Sequence, residues 1–305
     1  MSGAVVTPAS LDRPEGRRHY LLARPSDPAP GKRPLVILLH GHGSSAALTF
    51  GRGDFGDPSA VWLEIAQREG LLVIAPDGWK GSSGKQGWND CRADAPTNPV
   101  SDDVGFLSAV IDLAIAEHDA DPRRVHVVGM SNGGGMTYRL AIELGPRLAA
   151  VAVLSGLMPA RSLCAPPRHA LPILITHGSA DRIAPYDGGE VGHALTGARG
   201  SGIAVEQALA LWRALAGLPD SPCVTPVAHR DPADPTTATR YVWGADPCQI
   251  QVGLLKIDLG GHVSPSIAKR ASPAMTTMLG RQNGDLEFAE EAWAFFADKR
   301  ARATL

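Results

Sequence analysis

Gly129-Met130-Ser131-Asn132-Gly133 constrains this chain more than any other stretch of it. The pentapeptide closes the apolar run at 125–128 and leads into a helical pattern over 134–144. Gly-x-Ser-x-Gly between a strand and a helix is the signature of a nucleophile elbow, a strand-to-helix turn with a serine at its apex. Such a turn is so tight that neighbouring side chains would clash. Glycines two before and two after the serine relieve the crowding and tolerate unusual dihedrals. The hydroxyl then stands clear of the sheet, and the helix N-terminus behind it favours developing negative charge. A plain glycine-rich turn would satisfy the pentapeptide too, so the reading depends on what the rest of the chain supplies.

A catalytic serine of this kind needs an oxyanion hole, an acid and a base, in the order Ser, Asp/Glu, His. Candidates for all three follow apolar runs. The run at 35–39 ends in His40-Gly41-His42-Gly43. Two backbone N–H groups about 3 Å from the developing oxyanion are required, and the spacing assigns them to His42 and Asn132. His40 joins them as a substrate-site candidate. His40 and His42 also read as a metal pair, but no third carboxylate or cysteine ligand lies nearby in sequence.

The run at 172–176 reads as a short buried strand, followed by His177-Gly178-Ser179-Ala180-Asp181. An aspartate just beyond a strand's C-terminal end reaches the active-site edge of a parallel sheet, which makes Asp181 the acid. Asp187, beside Gly188-Gly189, is the alternative and reads more simply as a turn residue. The run at 252–259 reads as the last core strand, closed by Gly260-Gly261-His262. His262 is the base, since it alone meets both order and position. It would take the Ser131 proton through one ring nitrogen while Asp181 fixes the other. His126, inside a strand, reads as a packed core residue, and His177 as a residue orienting its loop. His19, His118, His169, His193 and His229 have surface or loop contexts.

Along the chain, strands alternate with helices. Residues 17–25 read as an entering strand; 35–40, 71–76, 124–130, 149–155, 173–177 and 253–259 read as buried parallel strands, near-continuously apolar. Helical spacing links Val104, Leu107, Val110, Ile111, Ala114 and Ile115, then Val205, Ala208, Leu209, Trp212 and Leu215, and near the end Leu286, Ala289, Trp293 and Phe296. The fold class is therefore α/β, a doubly wound and mostly parallel sheet with helices on both faces and the elbow near its middle. Three insertions are expected to form the cleft: 44–60 with Phe50 and Phe55, 77–103 with Trp79, Trp88, Asn89 and Cys91, and 263–283 with Met275, Met278 and Leu279. Trp88 is the candidate wall for an acyl or aryl group. Ser101-Asp102-Asp103 admits a carboxylate-dyad reading, and a helix N-terminus before Val104 explains it more simply.

The motifs together, HGHG, GMSNGGG, HGSAD with Pro185-Tyr186-Asp187-Gly188-Gly189, and GGHVSP, resemble polyhydroxybutyrate-depolymerase-like and feruloyl-esterase-like α/β-hydrolases over residues 17–265. The resemblance implies the α/β-hydrolase fold and a Ser131–Asp181–His262 triad. It further implies acyl-enzyme hydrolysis of esters, either hydroxyalkanoate (3-hydroxybutyrate-type) oligomers and small esters, or feruloyl, other aryl or acetyl esters. Where relatives often carry His-Thr-Trp-Pro-Gly, with the tryptophan lining the substrate site, this chain has His262-Val263-Ser264-Pro265-Ser266. A serine peptidase or acyltransferase on the same fold, or a binding protein without activity, are the competing classes. The nucleophile is a side chain and water the second substrate, so no metal or organic cofactor is expected.

Composition suits a single catalytic domain over 1–305, with 44% hydrophobic and 20% charged residues. A net charge of −2 gives nothing to attract nucleic acid or an acidic membrane surface. No stretch approaches the ~18 apolar residues of a membrane span. As written, residues 1–8 lack a basic, apolar export signal, and the expected location is cytoplasmic; an exported chain trimmed of its leader would read the same. Cys223 and Cys248 flank a Pro/Asp/Thr-rich excursion that a disulfide could close, Cys91 and Cys164 lie far apart in sequence, and free thiols fit equally.

Overall fold

The computed structural model describes residues 3–53, 57–193 and 197–302. The chain opens with the hairpin β1 (Val5–Arg13) and β2 (Gly16–Arg24), then β3 (Arg33–Leu39), α1 (Ala46–Thr49), α2 (Val61–Glu69) and β4 (Leu72–Pro76). A short hairpin of β5 (Trp79–Lys80) and β6 (Gln86–Gly87) precedes α3 (Asp103–Glu117), β7 (Ala120–Met130), α4 (Asn132–Glu143), β8 (Ala150–Leu154) and β9 (Ile173–Gly178). A second hairpin, β10 (Gly189–His193) and β11 (Gly197–Gly202), leads to α5 (Val205–Ala216), β12 (Cys223–Pro226), β13 (Thr237–Trp243), β14 (Val252–Asp258), α6 (Pro273–Leu279) and α7 (Phe288–Phe296).

One sheet organises these elements, in the order β1-β2-β4-β3-β7-β8-β9-β14-β13-β12. From β4 through β14 every neighbouring pair is parallel, and the flanking pairs on both sides are antiparallel. The period-2 alternation of a strand sends Leu35, Ile37 and Leu39 to one face and Val36 and Leu38 to the other. The first face packs against Phe106, Val110, Tyr138 and Trp212 from α3, α4 and α5. The second packs against Trp62 and Ile65 from α2 and against Phe296 from α7. Being covered on both faces is why the central strands read as continuous apolar runs.

Each apolar run expected to be a parallel strand is one, with ends shifted by a few residues: the elbow strand starts at Ala120 rather than at 124. The sheet is larger than its apolar runs. β1 carries Pro8 in its interior and pairs only with β2, at an edge where a missing N–H costs no ladder bond. β12 and β13 form the opposite margin, β12 exposed throughout and β13 mostly half-buried, so neither reads as a buried apolar run. The insertions hold α1 and a 3-10 turn (Pro58–Ala60), the β5–β6 hairpin, and α6. Phe55 lies outside the described residues. No helix among the described residues is long and apolar enough to cross a membrane.

The structure decides the cysteine pairing that the sequence left open. Cys91 and Cys164 form the disulfide, with Cα atoms 5.7 Å apart, while Cys223 and Cys248 are free and exposed. Cys223 lies on β12 opposite Val242, and Cys248 sits in the turn between β13 and β14. A separation of 73 residues conceals that the loops after β4 and β8 meet above neighbouring parts of the sheet.

His126 is the packed core residue the sequence implied. It lies fully buried on β7, stacked on Phe296 at 4.7 Å between centroids and edge-on to Trp293 at 6.4 Å. Neither ring nitrogen has a hydrogen-bond partner. Burial first, then the charges of Arg124, Arg300 and Lys299, push its pKa down to about 3. A lowered histidine pKa means that below about pH 6.5 the unfolded chain binds a proton the folded chain refuses, so stability falls as pH falls. We therefore expect His126→Phe to flatten the pH dependence of the unfolding free energy between pH 6 and 4 by roughly 1 kcal/mol per pH unit. Denaturant melts at pH 7, 6, 5 and 4 check this; identical slopes in the two proteins would contradict it.

Candidate active site

The C-terminal ends of the parallel strands gather the chemistry, as open α/β sheets require. His40 follows β3, Ser131 follows β7, Asp181 lies just past β9 and His262 just past β14. β3 and β7 are neighbours, with Leu39 opposite Gly129, so the His40–Gly43 turn stands beside the elbow.

Ser131 has φ 56° and ψ −119°, a backbone conformation that costs a non-glycine residue about 1–3 kcal/mol. Its N–H donates to Leu154 O at 2.9 Å, which fixes the turn against β8. The glycines are required by close approach. A Cβ at position 129 would lie 2.1 Å from Gly133 O, and one at position 133 would lie 2.2 Å from Leu39 O.

Asp181 is buried and fully engaged. Its Oδ1 accepts from Ile183 N at 2.8 Å and Ala184 N at 2.9 Å, and its Oδ2 accepts from His262 Nδ1 at 2.7 Å. Placing the proton on Nδ1 leaves Nε2 of His262 as the basic nitrogen. Burial would raise the Asp181 pKa, but the charge and hydrogen bond of His262, with His177 and the Ala184 N–H, hold it below the usual carboxylate range. His177 lies 3.5 Å from Asp181 Oδ2 and donates through Nε2 to Ala184 O at 2.7 Å. Burial lowers its pKa and keeps it neutral, so it braces the Asp181 loop without competing with His262. Asp187 is exposed, as a turn residue would be. The His262 loop is clamped by the third insertion: His262 N donates to Leu279 O at 2.6 Å and Gly261 N to Arg281 O at 2.8 Å.

His40 lines the same cavity as Ser131 and His262, but both its ring nitrogens serve the backbone. Nδ1–H donates to Gly41 O at 2.7 Å and Nε2 accepts from Gly78 N at 2.9 Å, an arrangement that leaves no nitrogen for a metal and suits the neutral form that burial favours. The N–H of His42 has no acceptor among the described residues, and that of Asn132 heads α4, where the first N–H groups lack intrahelical acceptors. The two positions expected to hold an oxyanion thus flank the elbow.

Trp88 requires a correction. It is fully buried behind the elbow and does not line the cavity. Its Nε1–H donates to His40 O at 2.9 Å, and its backbone N–H donates to Asn132 Oδ1 at 2.7 Å. The aromatic at the loop tip folds inward because its indole N–H finds a backbone acceptor there. Two acids lie near it, Asp90, which nothing in the sequence singled out, and Asp103, whose anchoring role the sequence did not show. Asp90 accepts from Asn132 Nδ2 at 2.9 Å and Asn98 Nδ2 at 2.7 Å. Asp103, of the Ser101–Asp103 run, is fully buried; it accepts from Arg18 Nη2 at 2.8 Å and Asn89 N at 2.7 Å, while Asp102 caps α3 through Gly105 N at 2.9 Å. The helix N-terminus reading therefore holds for Asp102, and Asp103 anchors the Trp88 loop.

The cavity itself has a volume of about 380 Å³. Ser131, His262 and His42 line it with Ile183, Leu279 and Phe288, and Lys85 and Arg199 contribute to its wall.

A ten-stranded, doubly wound sheet with these residues at its C-terminal edge has the α/β-hydrolase fold. Within that class, residues 60–199 match the dienelactone hydrolase family. The chain is similar to the putative esterase NocK of Nocardia uniformis subsp. tsuyamanensis, 34% identical over 174 residues that cover 56% of this chain and 47% of that protein. It is 30% identical to a probable feruloyl esterase C of Aspergillus niger over 56% of this chain and 58% of the other. It is 27% identical to a poly(3-hydroxybutyrate) depolymerase of Ralstonia pickettii over 46% of this chain and 28% of the other. The chain spans less than two thirds of the length of the curated relatives it matches. In fold it is similar to a thermostable esterase, with a TM-score of 0.58 and 18% identity over 97% of this chain and 63% of that one. An acetyl xylan esterase from Aspergillus awamori gives a TM-score of 0.54 and 16% identity over 82% of this chain and 92% of the other. The resemblance read from the motifs is thus met by relatives of both expected kinds.

Trp88→Phe tests the corrected role. It leaves the buried His40 carbonyl without its donor, which should lower the unfolding free energy by about 1–3 kcal/mol and leave the ranking of ester substrates by acyl length unchanged. Thermal melts and KM values across acyl lengths check this; unaltered stability with a changed acyl preference would restore Trp88 to the binding wall.

Proposed function

We propose that this protein is a serine carboxylic ester hydrolase in which Ser131 is the nucleophile, His262 the general base and acid, and Asp181 the carboxylate that orients it. The observation that carries this reading is the 2.7 Å hydrogen bond from His262 Nδ1 to Asp181 Oδ2, behind a cavity that His262 and Ser131 both line. His262 Nε2 takes the Ser131 proton as Oγ attacks the ester carbonyl, and the backbone N–H groups of His42 and Asn132 receive the oxyanion. The same nitrogen then protonates the departing alcohol. Water, activated by His262, releases the acid from Ser131. Losing one oxyanion donor in such a site costs about 10²–10³ in rate.

Within this class the preferred substrates are hydroxyalkanoate (3-hydroxybutyrate-type) oligomers and small esters. Two observations support that choice. Trp88 is withdrawn from the wall, and Val263 and Ser264 stand where relatives often carry a tryptophan motif. Phe288 is then the one Phe, Tyr or Trp lining the cavity among the described residues, a thin platform for an aryl acid. The relative named feruloyl esterase C keeps feruloyl and other aryl esters, with acetyl esters, as the second reading.

Initial rates on p-nitrophenyl acetate, butyrate and octanoate, methyl ferulate and a soluble 3-hydroxybutyrate oligomer test both levels. Ser131→Ala should abolish turnover with little change in thermal unfolding, and His262→Ala should lose as much, because triad members act as a unit. Turnover that survives Ser131→Ala would overturn the hydrolase assignment. Faster serine-dependent cleavage of ferulate than of the oligomer would reverse the substrate order.

A further inference from the structure

Arg199 stands out among the arginines of this chain. It lies on β11, half-buried, and lines the cavity that holds Ser131 and His262. Its guanidinium makes no ion pair with any described residue; only its backbone carbonyl is engaged, by Arg92 Nη1 at 3.2 Å. Several other arginines find carboxylates, Arg18 with Asp103, Arg139 with Glu143 and Arg240 with Glu291, and Arg124, likewise half-buried without an ion pair among the described residues, does not line this cavity. Acids are not scarce, since 31 acidic residues outnumber 29 basic ones. Withdrawing a cation from water without a partner is unfavourable, and such groups are rare unless something completes them.

A second cation lines the same cavity. Lys85 lies just before β6 on the β5–β6 hairpin, which is tied to the oxyanion turn by Gly43 N donating to Gln86 O at 2.7 Å. Its stem runs along that turn, 3.5 Å from where a Cβ on Gly43 would be, and no described acid pairs with it. The half-buried His42 lies between them. Burial first, then Arg199, Lys85 and His40, hold its pKa at about 4, so it stays neutral beside the two cations.

The one carboxylate lining this cavity among the described residues does not answer them. Asp57 accepts from Ser59 N at 2.8 Å, and its pKa is raised by burial with no cation offsetting it. It borders a second cavity of about 200 Å³, which shares His262 and is walled by Leu48, Met130, Val263, Met275 and Leu279. The space on either side of His262 is therefore unlike: one wall carries unpaired cations, the other is apolar.

We propose that the catalytic cavity selects esters bearing a free carboxylate a few bonds from the scissile carbonyl, with Arg199 gripping that carboxylate and Lys85 steering it. This rests on the ester-hydrolase reading and deepens it: a short hydroxyalkanoate oligomer ends in such a carboxylate, and a simple alkyl ester does not. The planar fork of Arg199 suits bidentate contact with a carboxylate, whereas the exposed ammonium of Lys85 supplies a screened attraction at the mouth.

The test compares pairs of similar size in which one member carries the carboxylate: the 3-hydroxybutyrate dimer as free acid against its terminal carboxamide, and p-nitrophenyl hemisuccinate against p-nitrophenyl pentanoate. In the wild-type protein kcat/KM should favour the anionic member of at least one pair by about tenfold or more, and the preference should shrink in 0.5 M salt. Arg199→Gln should reduce that ratio by about 10–100-fold and Lys85→Gln by about 2–5-fold. Arg199→Lys should restore part of it. A wild-type ratio at or below one in both pairs would overturn the proposal, as would a salt-independent ratio or one unchanged in a folded Arg199→Gln protein. Should Arg199→Gln fail to fold, Lys85→Gln and the wild-type salt dependence decide alone. Absence of Ser131-dependent turnover on the neutral esters as well would instead reject the hydrolase reading beneath it.

Discussion

The backbone of Ser131 is the constraint on which the site depends. At φ 56° and ψ −119° the residue would not hold its conformation alone, and the surrounding structure has to over-determine it. Strand β8 does so through Leu154 O, and α4 does so through Gly135 N, which donates to Ser131 O at 3.0 Å. Gly133 lets the first turn of α4 lie directly on the carbonyls of Leu39 and His40. That close approach brings the elbow and the His40–Gly43 turn together, so one tight turn fixes both the proposed nucleophile and the proposed oxyanion site.

Beneath this pair of turns lies a buried polar layer that holds the loops rather than the substrate. Trp88 ties His40 O to the loop after β4, and the Asn132 side chain ties α4 to Trp88 and Asp90. Asp103 and Arg18 anchor the same loop from below, with the Arg18 guanidinium over Phe106 at 4.1 Å and Trp79 at 5.3 Å. The Cys91–Cys164 disulfide closes the loop's far end against the segment after β8. A catalytic constellation on loops needs such support, because a displacement of about 1 Å can cost two orders of magnitude in rate.

How far the sequence revealed this follows from what each residue's signal reports. Buried parallel strands, the elbow and the residues at strand ends were legible, since continuous apolar runs and chain order suffice to align Ser131, Asp181 and His262 along one edge. The antiparallel margins were not, since β1 breaks its pattern with Pro8 and β12 is exposed throughout. Helix α2 had its signal in Val61, Trp62, Ile65 and Ala66, masked by the insertion before it. Trp88 was misplaced because a large aromatic in a glycine-rich loop looks the same in sequence whether it faces a ligand or a backbone carbonyl. Cys91 and Cys164, like Asp90 and Asp103, meet their partners only through the fold. Arg199 and Lys85 were invisible for a related reason: their meaning lies in the acids that are not beside them.

The central claim, that Ser131 is a nucleophile activated by His262 and Asp181, is tested most directly by labelling with a fluorophosphonate and locating the adduct by mass spectrometry. The geometry predicts a single adduct on Ser131 in the native protein, none after His262→Ala, and labelling slowed by orders of magnitude in Asp181→Asn, where the His262 tautomer is no longer held. An adduct on another residue, or Asp181→Asn labelling as fast as the wild type, would contradict it.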